Sequence, residues 1–325
     1  MMRARTIVLG ASHWHVPLYL DAMREHHAVI GVSDERPEGA HMAAEHFGVE
    51  PTADHLALMD LPDVELAYVF VPHAEMAATC LALIERGIPF VVEKPAGVSL
   101  AELAAVRDAA REAGVPATVP LMQRDAPIER WLRQASDPVY ARYSFIAGPP
   151  ARYLRNGSPW MLDPAQAGGG CLANLGPHFV DLFLRAIGTT DVRVRATGGS
   201  ALHHGEVEDH AVVILTAADG REGVLEIGYA FPDSPLKRSS GYTVAGRGGF
   251  AEVAGDGRAA FTSRAGDTVT AQFDVDSDPL YVPFVASVAR TLNEGFTGLP
   301  TLDELHDVMA VIWEAYRQIR EEERA

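Results

Sequence analysis

A lysine that could do chemistry directly follows an apolar run at residues 90–92. The stretch reads Phe-Val-Val-Glu-Lys-Pro, so that Glu93, Lys94 and Pro95 come straight after the run. A short β-branched run of this kind is typical of a buried parallel strand. Open α/β sheets bind ligands at the carboxyl ends of their strands, where an ammonium group can reach a substrate hydroxyl or a cofactor ribose. Most lysines lie in solvated loops instead, so the motif indicates a functional site only together with the sequence pattern around it.

A second set of candidate groups lies in residues 168–181, which read Gly-Gly-Gly-Cys-Leu-Ala-Asn-Leu-Gly-Pro-His-Phe-Val-Asp. Pro177 suits the first turn of a helix predicted over residues 176–187, and His178 then lies near the helix N-terminus. The helix dipole there disfavours an imidazolium, and a neutral imidazole can act as a general base. A structurally hydrogen-bonded buried histidine is the alternative. Asn174 could orient a substrate or cap the helix, and the glycines allow close backbone approach to a bulky group.

The first third of the chain alternates apolar runs with helical patterns. Strands are predicted at 6–10, 28–32, 66–71, 89–93 and 116–121, with helices at 16–26, 38–47, 74–86 and 99–114. Ser99 and Glu102 form a capping box at the start of the last of these helices. Strands that alternate with helices indicate an α/β domain with a doubly wound parallel sheet and right-handed crossovers.

The remaining residues have a different pattern. Strands are predicted at 139–147, 192–198, 208–217, 224–231, 242–246, 250–254, 258–263 and 268–274. Glycine-rich connections between them indicate a large, open, mainly antiparallel sheet. The helix over 176–187 interrupts this sheet, and two helices close the chain, the last capped by Thr301 and Glu304. Residues 148–167 are predicted as a loop. The length favours two domains, 1–121 and 122–325.

The predicted strand over residues 224–231 has one clearly apolar side. Leu225, Ile227, Tyr229 and Phe231 share that side, and the other carries Val224, Glu226, Gly228 and Ala230. The second, mixed side is the expected face toward solvent or a partner subunit. A broad and lightly polar sheet face is unusual on a monomer, which favours two-fold pairing of the sheets.

The loop after the first strand partly matches a dinucleotide fingerprint. It reads Gly-Ala-Ser-His-Trp-His, and the fingerprint needs glycine at Gly10, Ser12 and His15. Only the first position is glycine. Asp34, at the end of the second strand, can accept hydrogen bonds from ribose hydroxyls and favours NAD, although a turn aspartate is about equally expected. Arg36 could hold a 2′-phosphate, which keeps NADP open.

Composition excludes several classes of function. The net charge of −17, from 27 basic and 44 acidic residues, argues against binding to nucleic acid or anionic membranes. Two cysteines, Cys80 and Cys171, make no disulfide framework. Residues 7–9 are too short a run for a signal peptide, and no apolar stretch approaches the length of a membrane span. We therefore expect a cytoplasmic protein.

Together these features resemble the Gfo/Idh/MocA oxidoreductases, named for glucose-fructose oxidoreductase and inositol dehydrogenase. The residues that carry the likeness span nearly the whole chain: Gly10, Asp34, Pro72, Glu93-Lys94-Pro95, Arg124, Trp160 and the block at 168–181. The resemblance implies a Rossmann domain, followed by a substrate-binding and oligomerisation domain with an open sheet. It also implies hydride transfer between nicotinamide and a secondary alcohol of a sugar or cyclitol, a cis Lys94–Pro95 bond, and a homodimer or homotetramer.

Roles for single residues follow from the motifs and the resemblance. Lys94 and His178 are the expected catalytic groups, and Asn174 is expected to orient the substrate. The expected cofactor-binding residues are Gly10, Ser12, His13, His15, Asp34, Arg36, Pro72, His73 and Glu93. The expected substrate contacts are Arg124, Arg152, Arg155 and Trp160. The family usually has aspartate at the position of Asn174, and an amide cannot take a proton.

Two other functions fit parts of the sequence. A ligand-binding protein that keeps the fold but not the chemistry would explain Asn174 and the missing glycines. A metal hydrolase would explain the pair His13 and His15 after a first strand. The other histidines show no spacing typical of metal ligands, and the first domain is not predicted as an eightfold barrel, so no metal is expected.

Overall fold

The computed structural model describes residues 3–124 and 126–322. The chain forms two compact units, and each is assembled from three segments. The first takes its residues from Met1–Pro120, Tyr153–Gly168 and Asp278–His306, and the second from Leu121–Arg152, Gly169–Ser277 and Asp307–Ala325. The division into two domains at residue 121 stays a prediction.

The first unit contains a six-stranded parallel sheet. Its strands are β1 (Ala4–Leu9), β2 (His27–Ser33), β3 (Pro51–Thr52), β4 (Leu66–Val69), β5 (Phe90–Val92) and β6 (Ala117–Thr118). Their order is β3-β2-β1-β4-β5-β6, and the neighbouring strands pair in parallel. The order reverses between β1 and β4, which is where doubly wound sheets open a ligand crevice. The predicted fold of this part is confirmed.

Helices connect these strands. They are α1 (Leu20–His26), α2 (Pro37–Phe47), α3 (His55–Met59), α4 (His73–Glu85) and α5 (Leu100–Ala113). The cap of α5 by Ser99 is confirmed, because Ser99 Oγ accepts from the Glu102 amide at 3.3 Å. The Glu102 carboxylate accepts from the amide of Val98, one residue before the N-cap, at 2.7 Å, so the reciprocal half of the capping box is displaced by one residue. The helix predicted over 16–26 begins as a 3-10 turn at Val16–Leu18, held by i→i−3 hydrogen bonds. Both β3 and α3 were missed, since they are too short to show a periodicity.

The second unit contains an eight-stranded sheet. Its strands are β7 (Pro138–Ala147), β8 (Val192–Gly199), β9 (His210–Ala217), β10 (Glu222–Gly228), β11 (Arg238–Gly246), β12 (Gly249–Val253), β13 (Arg258–Ser263) and β14 (Thr268–Gln272). Their order is β14-β13-β12-β11-β7-β10-β9-β8. Of its strand pairs only β7 and β10 are parallel, so the mainly antiparallel sheet is confirmed. The alternation predicted for β10 is confirmed over 224–227, where Leu225 and Ile227 are buried and Val224 and Glu226 are partly exposed. The strand ends at Gly228, which is buried, so residues 229–231 of the predicted strand lie beyond it.

The remaining helices are α6 (Pro127–Leu132), α7 (Arg152–Arg155), α8 (Pro164–Ala167), α9 (Cys171–Ile187), α10 (Tyr281–Thr291) and α11 (Leu302–Glu322). The stretch predicted as a loop over 148–167 therefore holds two short helices and a 3-10 turn at Pro159–Leu162. The cap of α11 is confirmed, since the Glu304 amide donates to Thr301 Oγ1 at 3.2 Å.

The predicted start of the long helix α9 was wrong. It begins at Cys171 rather than at residue 176, so Pro177 lies inside the helix. His178 is the eighth residue, and the N-cap is Gly170 rather than Asn174. The effect of a helix dipole falls off within the first turn. The argument that the dipole keeps His178 neutral therefore does not apply.

Candidate active site

Lys94 is buried at the carboxyl end of the parallel sheet. It follows β5 by two positions, and only 2% of its surface is exposed in the structure. The Lys94–Pro95 bond is cis, as the resemblance implies. Burial lowers the pKa of Lys94 to about 8, and the neighbouring charge of Glu93 opposes this shift. A lysine with this pKa can donate a hydrogen bond at neutral pH and lose its proton a little above it.

Glu93 is held in place by side chains from distant parts of the first unit. The Tyr19 hydroxyl donates to Glu93 Oε1 at 2.8 Å, and His15 Nδ1 lies 3.0 Å from the same oxygen. The other ring nitrogen of His15 lies 3.2 Å from the Tyr281 hydroxyl. Burial, and then the charge of Glu93, raises the pKa of Tyr19 well above its usual value, so Tyr19 remains a donor. These contacts fix a carboxylate next to Lys94.

His13 and His73 belong to a buried aromatic cluster with Trp160. The ring centroids of His13 and Trp160 are 5.5 Å apart, and those of His73 and Trp160 are 4.7 Å apart. His73 Nδ1 lies 2.8 Å from the carbonyl oxygen of Ala167, to which it donates as a neutral ring. Burial, with Lys94 adding to it, lowers the pKa of His73 to about 3, and burial also lowers the pKa of His13. Both rings are therefore neutral near pH 7.

The loop after β1 is joined to the end of β2 by hydrogen bonds. Asp34 accepts from the Ser12 amide at 2.7 Å and from the Arg36 amide at 2.9 Å, and the Arg36 guanidinium donates to Ser12 Oγ at 2.5 Å. Gly10 has a φ of +84°, and a Cβ there would lie 2.3 Å from the Val71 nitrogen. This glycine is thus required where the loop passes the end of β4. Pro72, one residue further on, is the N-cap of α4.

In the second unit, Asn174 and His178 lie four residues apart on α9 and so share one side of the helix. Asn174 is buried, and its Nδ2 donates to the Tyr229 hydroxyl at 3.1 Å. His178 is partly exposed. This hydrogen bond fixes the orientation of the Asn174 side-chain amide.

Arg124 forms a bidentate ion pair with Asp181, which lies three residues after His178 on α9. Its Nε donates to Oδ2 at 2.8 Å and its Nη2 to Oδ1 at 2.5 Å. The Arg152 guanidinium lies 5.2 Å from the ring centroid of Tyr229. Arg155 is exposed and belongs to the first unit. The substrate-binding role of these three arginines stays a prediction.

The structure therefore gathers the predicted residues into two groups, one in each unit. The first group holds Gly10, Ser12, His13, His15, Asp34, Arg36, Pro72, His73, Glu93, Lys94, Arg155 and Trp160. The second holds Arg124, Arg152, Asn174 and His178. Sequence reasoning missed the tyrosines 19, 229 and 281, which bond to these residues. Their only signal was a polar tip within or beside an apolar run.

Within residues 3–124 and 126–322, no group of three or more His, Cys, Asp or Glu side chains could hold a metal ion. No helix in the same residues is both long and apolar enough to cross a membrane.

Two family models cover most of the chain. Residues 5–120 match the oxidoreductase family with an NAD-binding Rossmann fold, and residues 136–252 match the C-terminal domain of the Gfo/Idh/MocA proteins. Residues 5–120 therefore have the NAD-binding Rossmann fold by both strand order and sequence. The chain belongs to the Gfo/Idh/MocA family of oxidoreductases.

Two curated relatives are similar over part of their length. The trans-1,2-dihydrobenzene-1,2-diol dehydrogenase of Bos taurus is 27% identical over 206 residues, which are 61% of this chain and 59% of that protein. The levoglucosan dehydrogenase of Pseudarthrobacter phenanthrenivorans is 25% identical over 166 residues, which are 48% and 42% of the two chains. The chain thus matches less than two thirds of either relative.

The fold is also that of solved structures. GenD2 from gentamicin A biosynthesis, solved in complex with NAD, superposes with a TM-score of 0.84 at 22% identity, over 99% of this chain and 95% of that one. At this identity the likeness shows the fold alone.

Proposed function

We propose that the protein is an NAD-dependent dehydrogenase that transfers a hydride between nicotinamide and a secondary alcohol of a sugar, cyclitol or related polyol. The observation that carries the proposal is the buried Lys94 at the carboxyl end of β5, in a Rossmann domain of this family. The Asn174 and His178 pair on α9 supports it. The names of the two curated relatives support the substrate class, since one acts on levoglucosan and the other on a cyclic diol.

In this proposal each residue has one role. His178 accepts the proton of the substrate hydroxyl while the hydride leaves the same carbon. Lys94 donates a hydrogen bond to the developing alkoxide and to the ribose, which favours the charge that forms at the oxygen. Asn174 orients the substrate and takes no proton, so that His178 is the only base among the three. NAD, when bound, supplies the acceptor of the hydride.

The residues of the first unit fit NAD. Gly10 lets the loop pass close to the end of β4, and Asp34 lies at the end of β2, where a carboxylate can accept from both ribose hydroxyls. The same carboxylate would repel the 2′-phosphate of NADP. Arg36 would favour NADP, but its guanidinium is bonded to Ser12 Oγ. We therefore expect tighter binding of NAD than of NADP.

A non-catalytic ligand-binding protein with the same fold is the second candidate. Two observations favour it: the loop lacks two of the three fingerprint glycines, and Asn174 stands where the family usually has aspartate. Its prediction differs, because it forms a stable complex with NAD and a sugar but shows no turnover.

The test is a set of melting temperatures with NAD, NADP and a panel of sugars and cyclitols, followed by turnover assays. A ligand present at about 100 times its Kd stabilises the folded state by about 2.7 kcal/mol. Lys94→Ala should abolish turnover while NAD affinity stays within a small factor. The control is Lys237→Ala, at an exposed lysine directly before β11. Near-normal turnover of Lys94→Ala would remove this residue from the mechanism, and tighter binding of NADP would show that Arg36 outweighs Asp34.

A further inference from the structure

The N-terminus of α9, the helix that carries Asn174 and His178, is held by two side chains from elsewhere in the second unit. The first N–H groups of a helix have no partner within the helix. Here they come from Gly170, Cys171, Leu172 and Ala173. The Glu208 carboxylate accepts from Gly170 and Leu172 at 2.8 Å each, and the Glu208 carbonyl accepts from Cys171 at 3.2 Å. The Tyr316 hydroxyl accepts from Ala173 at 2.9 Å and from Gly170 at 3.1 Å.

The two side chains are also bonded to each other. The Tyr316 hydroxyl donates to Glu208 Oε1 at 2.7 Å. The Glu208 carboxylate is the acceptor in all three of these side-chain hydrogen bonds, which suits an ionised carboxylate at the positive end of a helix. Burial raises the pKa of Glu208, and the hydrogen bonds from Tyr316, Leu172 and Gly170 oppose that rise. Burial, and then the charge of Glu208, raises the pKa of Tyr316, which therefore keeps the proton that it donates.

The glycines before α9 are shaped to these partners. A Cβ at Gly169 would lie 2.1 Å from the Tyr316 hydroxyl, and a Cβ at Gly170 would lie 2.2 Å from the Glu208 carbonyl oxygen. Real Cβ atoms essentially never approach so closely. The glycines at 169 and 170 thus leave room for Tyr316 and Glu208. The glycine block of the sequence and the hydrogen bonds of the structure are two independent indications that these residues contact the start of α9.

We propose that Glu208 and Tyr316 are positioning residues, which fix the first turn of α9 and thereby the direction in which Asn174 and His178 are presented. The connection is direct, because the backbone N–H of Asn174 donates to the Gly170 carbonyl at 3.1 Å. This hydrogen bond lies in the first turn of α9, which Glu208 and Tyr316 hold. The inference rests on the proposed function of Asn174 and His178. A small displacement of reacting groups lowers the rate far more than it lowers affinity for a cofactor bound elsewhere.

Tyr316→Phe tests the proposal, since it keeps the ring and removes the hydroxyl. We expect faster amide hydrogen exchange at residues 170–173, a kcat lowered roughly tenfold to a hundredfold, and an unchanged Kd for NAD. Tyr242→Phe is the matched control. Tyr242 is a buried tyrosine of the same unit, and its hydroxyl has no hydrogen-bond partner within the described residues. Its removal should change neither exchange at 170–173 nor kcat.

Glu208→Gln is the second variant, because it keeps the size of the side chain and replaces one acceptor with a donor. It should raise exchange at 170–173 and lower kcat, and Glu208→Asp should restore part of both. If Glu208→Gln does not fold, Tyr316→Phe alone decides.

Unchanged exchange at 170–173 in Tyr316→Phe would overturn the structural part of the inference, and faster exchange with unchanged kcat would overturn the positioning role. A wild-type chain that binds NAD and a sugar without turnover would contradict the proposed function alone. The positioning role would then be read from sugar affinity, which Tyr316→Phe should weaken at constant NAD affinity and Tyr242→Phe should not.

Discussion

At the scale of single residues, the charge of Glu93 and the burial of Lys94 act on the same proton. Burial favours the neutral amine of Lys94, and the carboxylate favours the ammonium. Glu93 in turn is fixed by the Tyr19 hydroxyl and lies next to His15. The pair is therefore a means of setting the pH above which the proposed hydrogen-bond donor is lost.

This pair gives a prediction on the pH dependence of turnover. Lys94 carries its proton below a pH of about 8 and loses it above. In the proposed mechanism kcat/KM therefore falls as the pH rises through that value. Glu93→Gln removes the charge that raises the pKa of Lys94, so the alkaline limb should move to lower pH. The measurement is the pH profile of kcat/KM for both proteins.

The control for that profile is Glu50→Gln, at an exposed glutamate of the first unit. It should leave the alkaline limb in place. An alkaline limb at the same pH in wild type and Glu93→Gln would mean that another group controls it.

The sequence predicts the motif of Glu93 and Lys94 but not its partners. Lys94 could be placed because the strand before it and the proline after it are local patterns. Tyr19 and Glu93 are 74 positions apart, and His15 and Tyr281 are 266 apart. No local pattern specifies contacts at such separations, because they depend on how the strands and helices pack.

At the scale of elements, the sequence predicted most strands of both sheets and misplaced the start of α9. The helix was expected to begin at residue 176, because proline is tolerated in the first turn of a helix. In the structure Gly176 and Pro177 both lie inside α9. A Cβ at Gly176 would lie 2.8 Å from Leu172 Cδ1 in the same helix and 2.9 Å from Ile312 Cδ1 on α11, so α9 and α11 pack closely at this glycine. Tertiary contact outweighs local propensity at this point.

The glycine block before α9 gives a prediction on stability. Gly170→Ala places a Cβ 2.2 Å from the Glu208 carbonyl oxygen. Either the first turn of α9 or the segment that holds Glu208, just before β9, must therefore shift. We expect a loss of about 1–3 kcal/mol in the free energy of unfolding, as for other overpacked buried sites. Urea unfolding of the variant and the wild type measures it.

Gly199→Ala is the control, since a Cβ there would meet its nearest neighbour, a ring carbon of His210, at an ordinary 3.6 Å. It should change the free energy of unfolding much less. Equal urea midpoints of unfolding for Gly170→Ala and wild type would show that the structure accommodates a Cβ at Gly170 without loss of stability.

At the scale of the whole molecule, the sequence predicted two large sheets and their strand directions. It did so because parallel strands that alternate with helices and antiparallel strands joined by glycine-rich turns have different local patterns. It also predicted that one side of β10 is less buried. It could not show which parts of the chain join which compact unit, since Asp278–His306 belongs with the first unit although it follows the second sheet.

One face of the second sheet carries partly exposed apolar side chains on three of its strands. Val212 and Ile214 on β9, Tyr140 on β7 and Phe250 on β12 are each 36–42% exposed. The strand register places them on the same face, since Ile214 pairs with Val224, and Ala245 pairs with both Tyr140 and Phe250. An Arg142–Glu226 ion pair at 2.8 Å lies on that face between them. Such a mixed surface suits an interface between subunits.

We therefore expect this face to pair with the same face of a second copy, which gives a homodimer or a homotetramer. Light scattering at micromolar concentration should return at least twice the chain mass of 35.0 kDa. Ile214→Lys places a charge on this face and should shift the population toward monomer, because an unpaired charge is costly to bury. The control is Leu56→Lys, at a leucine of the first unit that is 52% exposed, and it should leave the mass unchanged. A wild-type mass of one chain would contradict the prediction, and an Ile214→Lys protein as large as wild type would place the interface on another surface.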